Sequence, residues 1–316
     1  MKVLLTGGSG FLGRGIIKHW PENEYIVYSR DEYKQDMARR VLGNPQNVSW
    51  VLGDVLDVNH LHYAMRDADL VIHTAAIKYI PEAEFNVREC VRVNVDGSRN
   101  VIDAAIKAGV SRVVGISTDK AVEPVNVYGM TKALMERMFV EANQFGDGKT
   151  TFTCTRYGNV VGSTGSVLTV FKDQALFTGK ITVTDPDMTR FWQSIKASVE
   201  LIKLAAQADP GNIIIPSGES STMGILASYF AGLKEPAAEI EYIGVRPGEK
   251  MHEALVGQYE SLRTYVHNKF SKYYILPPVG SETRNAAWTL SSSNPTRFVT
   301  HADLDDMLQQ AAEIGY

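Results

Sequence analysis

The chain has 316 residues, 44% hydrophobic and 22% charged, with a net charge of −4. This is ordinary globular composition, enough for one large domain or for one domain with a smaller appendage. The acid excess argues against a broad nucleic-acid-binding surface, two cysteines (Cys90 and Cys154) make no disulfide framework, and no apolar run approaches the ~20 residues of a membrane span.

Val3–Leu5 is the first strand candidate, and Met1-Lys2 leads straight into it without a signal-peptide pattern. A soluble, cytoplasmic protein is therefore expected. Thr6-Gly-Gly-Ser-Gly-Phe-Leu-Gly13 follows and opens a helix over Gly13–Trp20. Gly7, Gly10 and Gly13 supply a tight turn, close backbone approach and close helix packing, and the helix N-terminus offers its N–H groups to a pyrophosphate. Gly7, Ser9, Gly10, Phe11, Leu12 and Gly13 are the cofactor candidates of this turn. The second strand, Tyr25–Tyr28, runs into Ser29 and Arg30. A carboxylate at this strand end usually binds the ribose hydroxyls of NAD, whereas Arg suits a 2′-phosphate. Ser29, Arg30 and Lys34 therefore favour NADP. Asp31 can still turn toward the ribose, and a solvated helix start is the plainer alternative.

A helix over Asp31–Leu42 and a strand over Ser49–Leu52 come next. Asp54, with Val55 beside it, falls where an adenine amino group can be met; Asp54 can equally cap a turn. After the helix His60–Arg66, the strand Leu70–His73 leads to Ala75 and Ala76, small residues where a cofactor passes close. His73 itself reads as a packed strand residue. The helix Val91–Ala108 and the strand Arg112–Ile116 complete a β-α alternation that predicts an α/β, Rossmann-type doubly wound parallel sheet.

The apolar run before residue 118 ends in Thr118-Asp119-Lys120, and Tyr128-Gly-Met-Thr-Lys132 opens a helix reaching Asn143. Tyr128 and Lys132, four apart, share one helix face, where the ammonium can lower the phenol's pKa. Tyr, Lys and Thr alone suit alcohol oxidation. Asp119 and Lys120 add a second acid/base pair, as an elimination needs. Later come a strand Thr151–Arg156, turns over Gly158–Gly165, a strand Ile213–Ile215, a helix Met223–Ala231, a strand Ile240–Val245 and a last helix from His301. The expected division is a nucleotide-binding domain over 1–160, with some later segments returning to it, and a smaller C-terminal substrate lobe over 161–316. No metal site is expected.

Gly7-x-x-Gly10-x-x-Gly13 and Tyr128-x-x-x-Lys132 resemble the extended short-chain dehydrogenases/reductases. More narrowly, the chain resembles the UDP-N-acetylglucosamine 4,6-dehydratases, particularly the C5-inverting type of pseudaminic acid biosynthesis. Ser29–Gln35, Ala75–Glu84, Ser117–Ala121, Arg156–Val160, Thr184–Trp192 and Arg246–Glu253 carry that likeness. The resemblance implies Tyr128, with Lys132, as the base for the C4 hydroxyl. It implies Lys120 as the C5 base if its amine is neutral, Asp119 as the acid for the C6 hydroxyl, and Thr118 as a contact at C4. It also implies an NADP that ends as it began, a UDP-sugar gripped by Lys78, Asn159, Gly165, Ser166, Val167, Thr184, Arg246 and Glu249, and a homo-oligomer. Arg190 divides between a sugar contact and a structural corner.

Met130 and Glu123 depart from the pattern, in places that could reshape the sugar pocket, and Lys269–Trp288 is only loosely similar. Alternatives are a C5-retaining dehydratase, a nucleotide-sugar 4-epimerase, which needs no second acid/base pair, and an NADP-sensing regulator without turnover.

Overall fold

The computed structural model describes residues 1–145, 148–233, 235–282 and 286–315. Six parallel strands form its centre: β1 (Lys2–Thr6), β2 (Glu24–Ser29), β3 (Val48–Leu52), β4 (Leu70–His73), β5 (Arg112–Thr118) and β6 (Thr151–Tyr157). Their order is β6-β5-β4-β1-β2-β3. Ile213–Pro216 adds a parallel strand beside β6. Tyr273–Leu276 and then Tyr265–Val266 close that edge as antiparallel strands. Chain direction across the sheet reverses between β1 and β4, which opens a crevice at the strands' carboxyl ends, where ligands bind in such sheets.

Alternation along each strand loads both faces. Leu4, Val71 and Val113 pack on one side with Phe139 and Phe152. Val3, Leu5, Ile72 and Val114 pack on the other with Ile16 and Ile195. Burial on both sides explains the continuous apolar runs. Helix starts follow side-chain capping: Asp31 accepts from Lys34 N at 2.9 Å, Asp57 from His60 N at 3.0 Å and Asn126 from Gly129 N at 2.8 Å.

Much of the second half builds its own core around Phe171, Trp192, Phe230 and Leu304. Its small sheet joins Asn159–Val160, Thr189–Gln193, Glu219–Thr222 and Arg297–Phe298. These strands were not foreseen, since two to five residues carry little periodicity and their partners lie far off in sequence; the helix Ile195–Ala205 was not foreseen either, although Ile195, Val199 and Ile202 recur at helical spacing. The strand expected at Ile240–Val245 spans Glu239–Tyr242 and ends before Gly244, which has φ +83°.

The helix expected over Val91–Ala108 forms, starting at Val87, but with a π-helical stretch inside it. A helix Ile80–Phe85 precedes it, followed by an α-turn Val87–Val91, a π-helical stretch Arg92–Asp96 and the helix Gly97–Ala108. The π-helical stretch holds Asn94, whose Nδ2 donates to Ile77 O at 2.9 Å and whose Oδ1 accepts from Ile77 N at 2.8 Å. The side chain thereby pairs with a loop outside the helix. No helix among the described residues is long and apolar enough to cross a membrane.

Candidate active site

The glycine turn after β1 is shaped for close approach. Gly7 has φ +66°, and a Cβ there would lie 2.9 Å from Ala75 Cα. A Cβ on Gly13 would overlap the Gly8 carbonyl. Gly10 caps the helix Phe11–His19 without a side-chain hydrogen bond. Ser9 and Phe11 are buried, Leu12 is half-buried, and Ala75 and Ala76 border the turn from the end of β4. Backbone N–H groups at a helix start, next to small residues, fit a dinucleotide pyrophosphate.

At the end of β2, Asp31 caps the next helix and is paired to Lys34 at 3.6 Å. Ser29 is also held: Gln35 Nε2 donates to its Oγ and carbonyl, both at 3.0 Å. Arg30 is exposed, its guanidinium 3.6 Å from Asp54 Oδ2. Asp54 Oδ1 accepts from Leu56 N at 3.0 Å, so the turn cap is made, and Val55 is buried against Gly97. His73 bridges Thr6 Oγ1 (2.7 Å) and Ser98 Oγ (3.0 Å), and burial pushes its pKa down to about 3. It is a packed neutral imidazole.

The acid/base residues meet at the carboxyl end of β5. Thr118 ends the strand, and Asp119–Ala121 form a single 3-10 turn. Asp119 is fully buried. Its Oδ1 accepts from Thr118 Oγ1 at 2.9 Å and from Lys120 Nζ at 3.0 Å. Its Oδ2 has no hydrogen-bond partner among the described residues. Lys120 also donates to Asn159 Oδ1 at 3.4 Å and stands 3.8 Å from Glu253 Oε1. Burial lowers the Lys120 pKa, but the charges of Asp119 and Glu253 outweigh it and raise the value above that of an ordinary lysine. The condition that the amine be neutral is thus not met by burial; two carboxyl groups hold its proton.

Tyr128 comes to the same point from the helix Val127–Ala142 and hydrogen-bonds the Thr118 side chain. Burial drives its phenol pKa upward. Lys132 is buried, its pKa lowered to about 8 by desolvation, and its amine donates to Met135 Sδ at 3.1 Å. Among the described residues no hydrogen bond joins Lys132 to the phenol.

Three residues that sequence reasoning passed over organise the site. A Cβ on Gly129 would overlap the Lys120 carbonyl oxygen, so the helix closes on the Asp119-Lys120 turn only with glycine there. Asn94 joins the Ile77 loop to that helix, donating to Thr131 Oγ1 at 3.0 Å. Glu253 is a buried carboxyl facing Lys120. The Tyr128-Gly sequence signalled Gly129; nothing local marked the other two.

The sugar-side candidates ring the same cleft in part. Asn159 touches Lys120, and Lys78 lies close enough for burial and the Lys120 charge to lower its pKa. Gly165 has φ +72° and faces Tyr79, while Ser166 and Val167 start the helix Val167–Asp173. Thr184 contacts Met188 Sδ at 3.6 Å. Arg246 is exposed, and Glu249 has a shielded Oε2 without a hydrogen bond among the described residues. Arg190 is buried and donates to Thr189 O at 2.7 Å, Met188 Sδ at 2.9 Å and Met251 O at 3.3 Å, and its charge also reaches Lys120 and Glu253. Met130 faces away from this cleft and lines an apolar groove with Val87, Val91 and Leu134. Glu123 adopts φ +45°, a left-handed conformation that Asn tolerates better than Glu.

Residues 3–275 match the family model of polysaccharide biosynthesis proteins. The chain is similar to a UDP-N-acetylglucosamine 4,6-dehydratase (inverting) of Campylobacter jejuni, with 40% identity over 283 residues, covering 87% of this chain and 82% of that protein. It is also similar to a UDP-glucose 4-epimerase of Rickettsia bellii, with 37% identity over 295 residues, covering 90% of this chain and 85% of that protein. Among solved structures, Pen from Bacillus thuringiensis aligns with a TM-score of 0.90 at 32% identity, covering 99% of this chain and 98% of that one. A Rossmann-type sheet, a glycine turn, a Tyr128/Lys132 helix and these similarities together make the chain a member of the polysaccharide biosynthesis protein family, on the extended short-chain dehydrogenase/reductase fold.

Proposed function

We propose that this protein is a nicotinamide-dependent UDP-N-acetylglucosamine 4,6-dehydratase that inverts C5. The observation that carries this reading is the second acid/base pair: Asp119 and Lys120, 3.0 Å apart, beside Thr118 and Tyr128. A 4-epimerase has no use for such a pair.

When bound, the cofactor accepts the C4 hydride and later returns a hydride to C6. Tyr128 takes the C4 hydroxyl proton once ionised, with Lys132 on the same helix face as the cation that favours its phenolate and Thr118 orienting the C4 oxygen. The C4 ketone acidifies the C5 proton, which Lys120 removes, while Asp119 protonates the departing C6 hydroxyl. Elimination thus needs a neutral amine and a protonated carboxyl, whereas the resting site favours the charged pair. Both forms hold one proton between them. Its passage along the 3.0 Å Asp119–Lys120 hydrogen bond interconverts them. The same passage resets the pair after elimination, because Lys120 has then gained a proton and Asp119 has lost one. A proton from Lys120 or a second donor then enters C5 on the face opposite the one it left, which inverts that centre, and solvent makes good the proton while Tyr128 releases to solvent the one it took from C4.

We assign the cofactor as NADP, supported by an exposed Arg30 at the end of β2 and by Asp31 being engaged as a cap. Arg30→Ala is expected to weaken NADP binding relative to NAD roughly tenfold, one charge-assisted contact's worth; equal losses for both dinucleotides in a binding titration would refute the assignment. Lys78, Asn159, Gly165, Ser166, Val167, Thr184, Arg246 and Glu249 are proposed for the nucleotide sugar, with the substrate lobe over 161–316 and the dinucleotide over 1–160. A cytoplasmic location accords with these substrates.

The proposed homo-oligomer has a candidate face in the groove of Val87, Val91, Met130 and Leu134, which exposes apolar side chains along two neighbouring elements. Such faces mark association surfaces, and a twofold axis would pair like with like. Leu134→Asp is expected to lower the sedimentation coefficient; a monomeric parent would dispose of the idea.

The decisive experiment is incubation of the protein and NADP with UDP-N-acetylglucosamine in deuterated water, followed by NMR and mass spectrometry. Loss of one water with deuterium at an inverted C5 is expected. An unchanged sugar skeleton with C4 scrambled would make the protein an epimerase, a retained C5 would make it the other dehydratase type, and cofactor binding without turnover would favour a regulator.

A further inference from the structure

Glu253 stands against Lys120 without a task in the proton transfers. It directly precedes the strand Ala254–Val256 and is pinned on both sides: its N–H donates to Ser292 Oγ at 2.9 Å, and its carbonyl accepts from Ser292 N at 2.8 Å. Ser292 Oγ is tied in turn to Thr189 Oγ1 at 2.7 Å. The Glu253 side chain is 3% exposed. Its Oε1 lies 3.8 Å from Lys120 Nζ and its Oε2 3.9 Å from Lys250 Nζ. Oε2 has no hydrogen bond among the described residues, while Lys250 donates to Val122 O at 2.7 Å.

This is a poor structural brace. A buried carboxylate earns its place by hydrogen bonds, and these separations exceed hydrogen-bond length. They remain short for electrostatics, since charge acts at 3.8 Å where proton transfer does not. The Lys120 amine therefore faces two carboxyl groups with different capacities. Asp119 can exchange a proton with it, and Glu253 can only attract it.

We propose that Glu253 is a positioning residue of the acid/base site, whose charge sets how firmly Lys120 holds the proton it takes from C5. The inference rests on the dehydratase reading. With Glu253 ionised, the ammonium form of Lys120 is the more favoured. With Glu253 protonated, Asp119 alone faces the amine, and the proton can cross to it. Burial raises the Glu253 pKa, the Lys120 charge opposes that, Asp119 adds to it, and Arg190 and Lys250 oppose it; the net shift is upward. Arg190 disfavours the charged form of Lys120, the opposite influence to that of Glu253, and Lys78, in the loop after β4, has its own pKa lowered by burial and the Lys120 charge.

The test is the pH dependence of deuterium incorporation at C5, measured for the full-length protein with NADP and UDP-N-acetylglucosamine in deuterated water. Glu253→Gln removes the charge and keeps the shape. Its acid limb is expected to move to lower pH by about one unit or more, because Lys120 then releases its proton more readily. Glu253→Asp, which draws the charge back by one methylene, is expected to shift the limb less and in the same direction. Appearance of reduced cofactor, which reports C4 oxidation, should keep the parental pH dependence in both variants. A thermal melt establishes that each variant is folded; if the Gln variant is not, the Asp variant carries the test. Limbs that coincide with the parent's overturn the role of Glu253, as does loss of C5 exchange at every pH in a folded Gln variant. A parental protein that puts no deuterium at C5 overturns the dehydratase reading and this inference together, whereas parental exchange with an unmoved limb sinks the Glu253 role alone.

Discussion

Asp119→Asn is expected to slow water loss by at least about a hundredfold, within the usual worth of one general acid, while C4 oxidation still proceeds. The reason lies in the geometry. Asp119 is fully buried beside the Lys120 amine, and Oδ2 is left without a partner among the described residues, free to carry a proton to a leaving hydroxyl. An amide keeps the shape and the hydrogen bond from Thr118 but has no acidic proton to give. Lys120→Ala should produce the same division by a different route, removing the C5 base and leaving Tyr128 untouched. Both variants should therefore build up reduced cofactor with UDP-N-acetylglucosamine, visible in its near-ultraviolet absorbance, and release little 6-deoxy product. Parental dehydration rates in either variant would remove these residues from the elimination. Loss of both half-reactions together, in a protein that still melts cooperatively, would mean that the pair serves binding instead.

The second large effect concerns stability. Arg156 is 1% exposed on β6, yet its guanidinium binds two carboxylates and a carbonyl. It donates to Glu136 at 2.9 and 2.6 Å, to Glu260 at 2.7 and 2.9 Å, and to Leu255 O at 3.0 Å. Removing one partner of a buried ion network costs about 3–5 kcal/mol, because the others stay buried and unpaired. Arg156→Met should cost that much in urea-induced unfolding. Adding Glu136→Gln and Glu260→Gln should recover part of it, since neutral amides tolerate burial better. The site should suffer too. Glu136 lies one turn beyond Lys132 on the helix that carries Tyr128, and Glu260 lies in the segment after Glu253. The network thus clamps the helix bearing the catalytic pair to the chain that faces Lys120. A loss below about 1 kcal/mol, typical of a surface pair, would show that Arg156 has no such role.

Local chemistry was enough for much of the first half. The Gly7, Gly10 and Gly13 turn, the strand ends at Ser29 and Thr118, and the Tyr128–Lys132 spacing are all written in neighbouring residues, and parallel strands betray themselves by continuous apolar runs. Asp31 shows the limit. Its sequence position allowed a ribose contact or a solvated helix start, and only the folded chain shows its Oδ1 accepting from Lys34 N at 2.9 Å as the helix cap. Met130 looked like a pocket residue because it is two positions from Tyr128. Helical geometry turns it about 200° away from that residue, onto an exposed face.

The residues legible in the sequence were those whose chemistry depends on near neighbours: a glycine turn, a capped helix start, an acid beside a base. Tertiary structure alone decided which charges meet. Glu253 is 133 residues from Lys120, Arg156 is 104 from Glu260, and Asn94 is 37 from Thr131. Electrostatic and hydrogen-bond energies fall with distance in space, and no periodicity along the chain reports that distance. The protonation of Lys120, on which the chemistry turns, was therefore open until the fold had set two carboxyl groups around it.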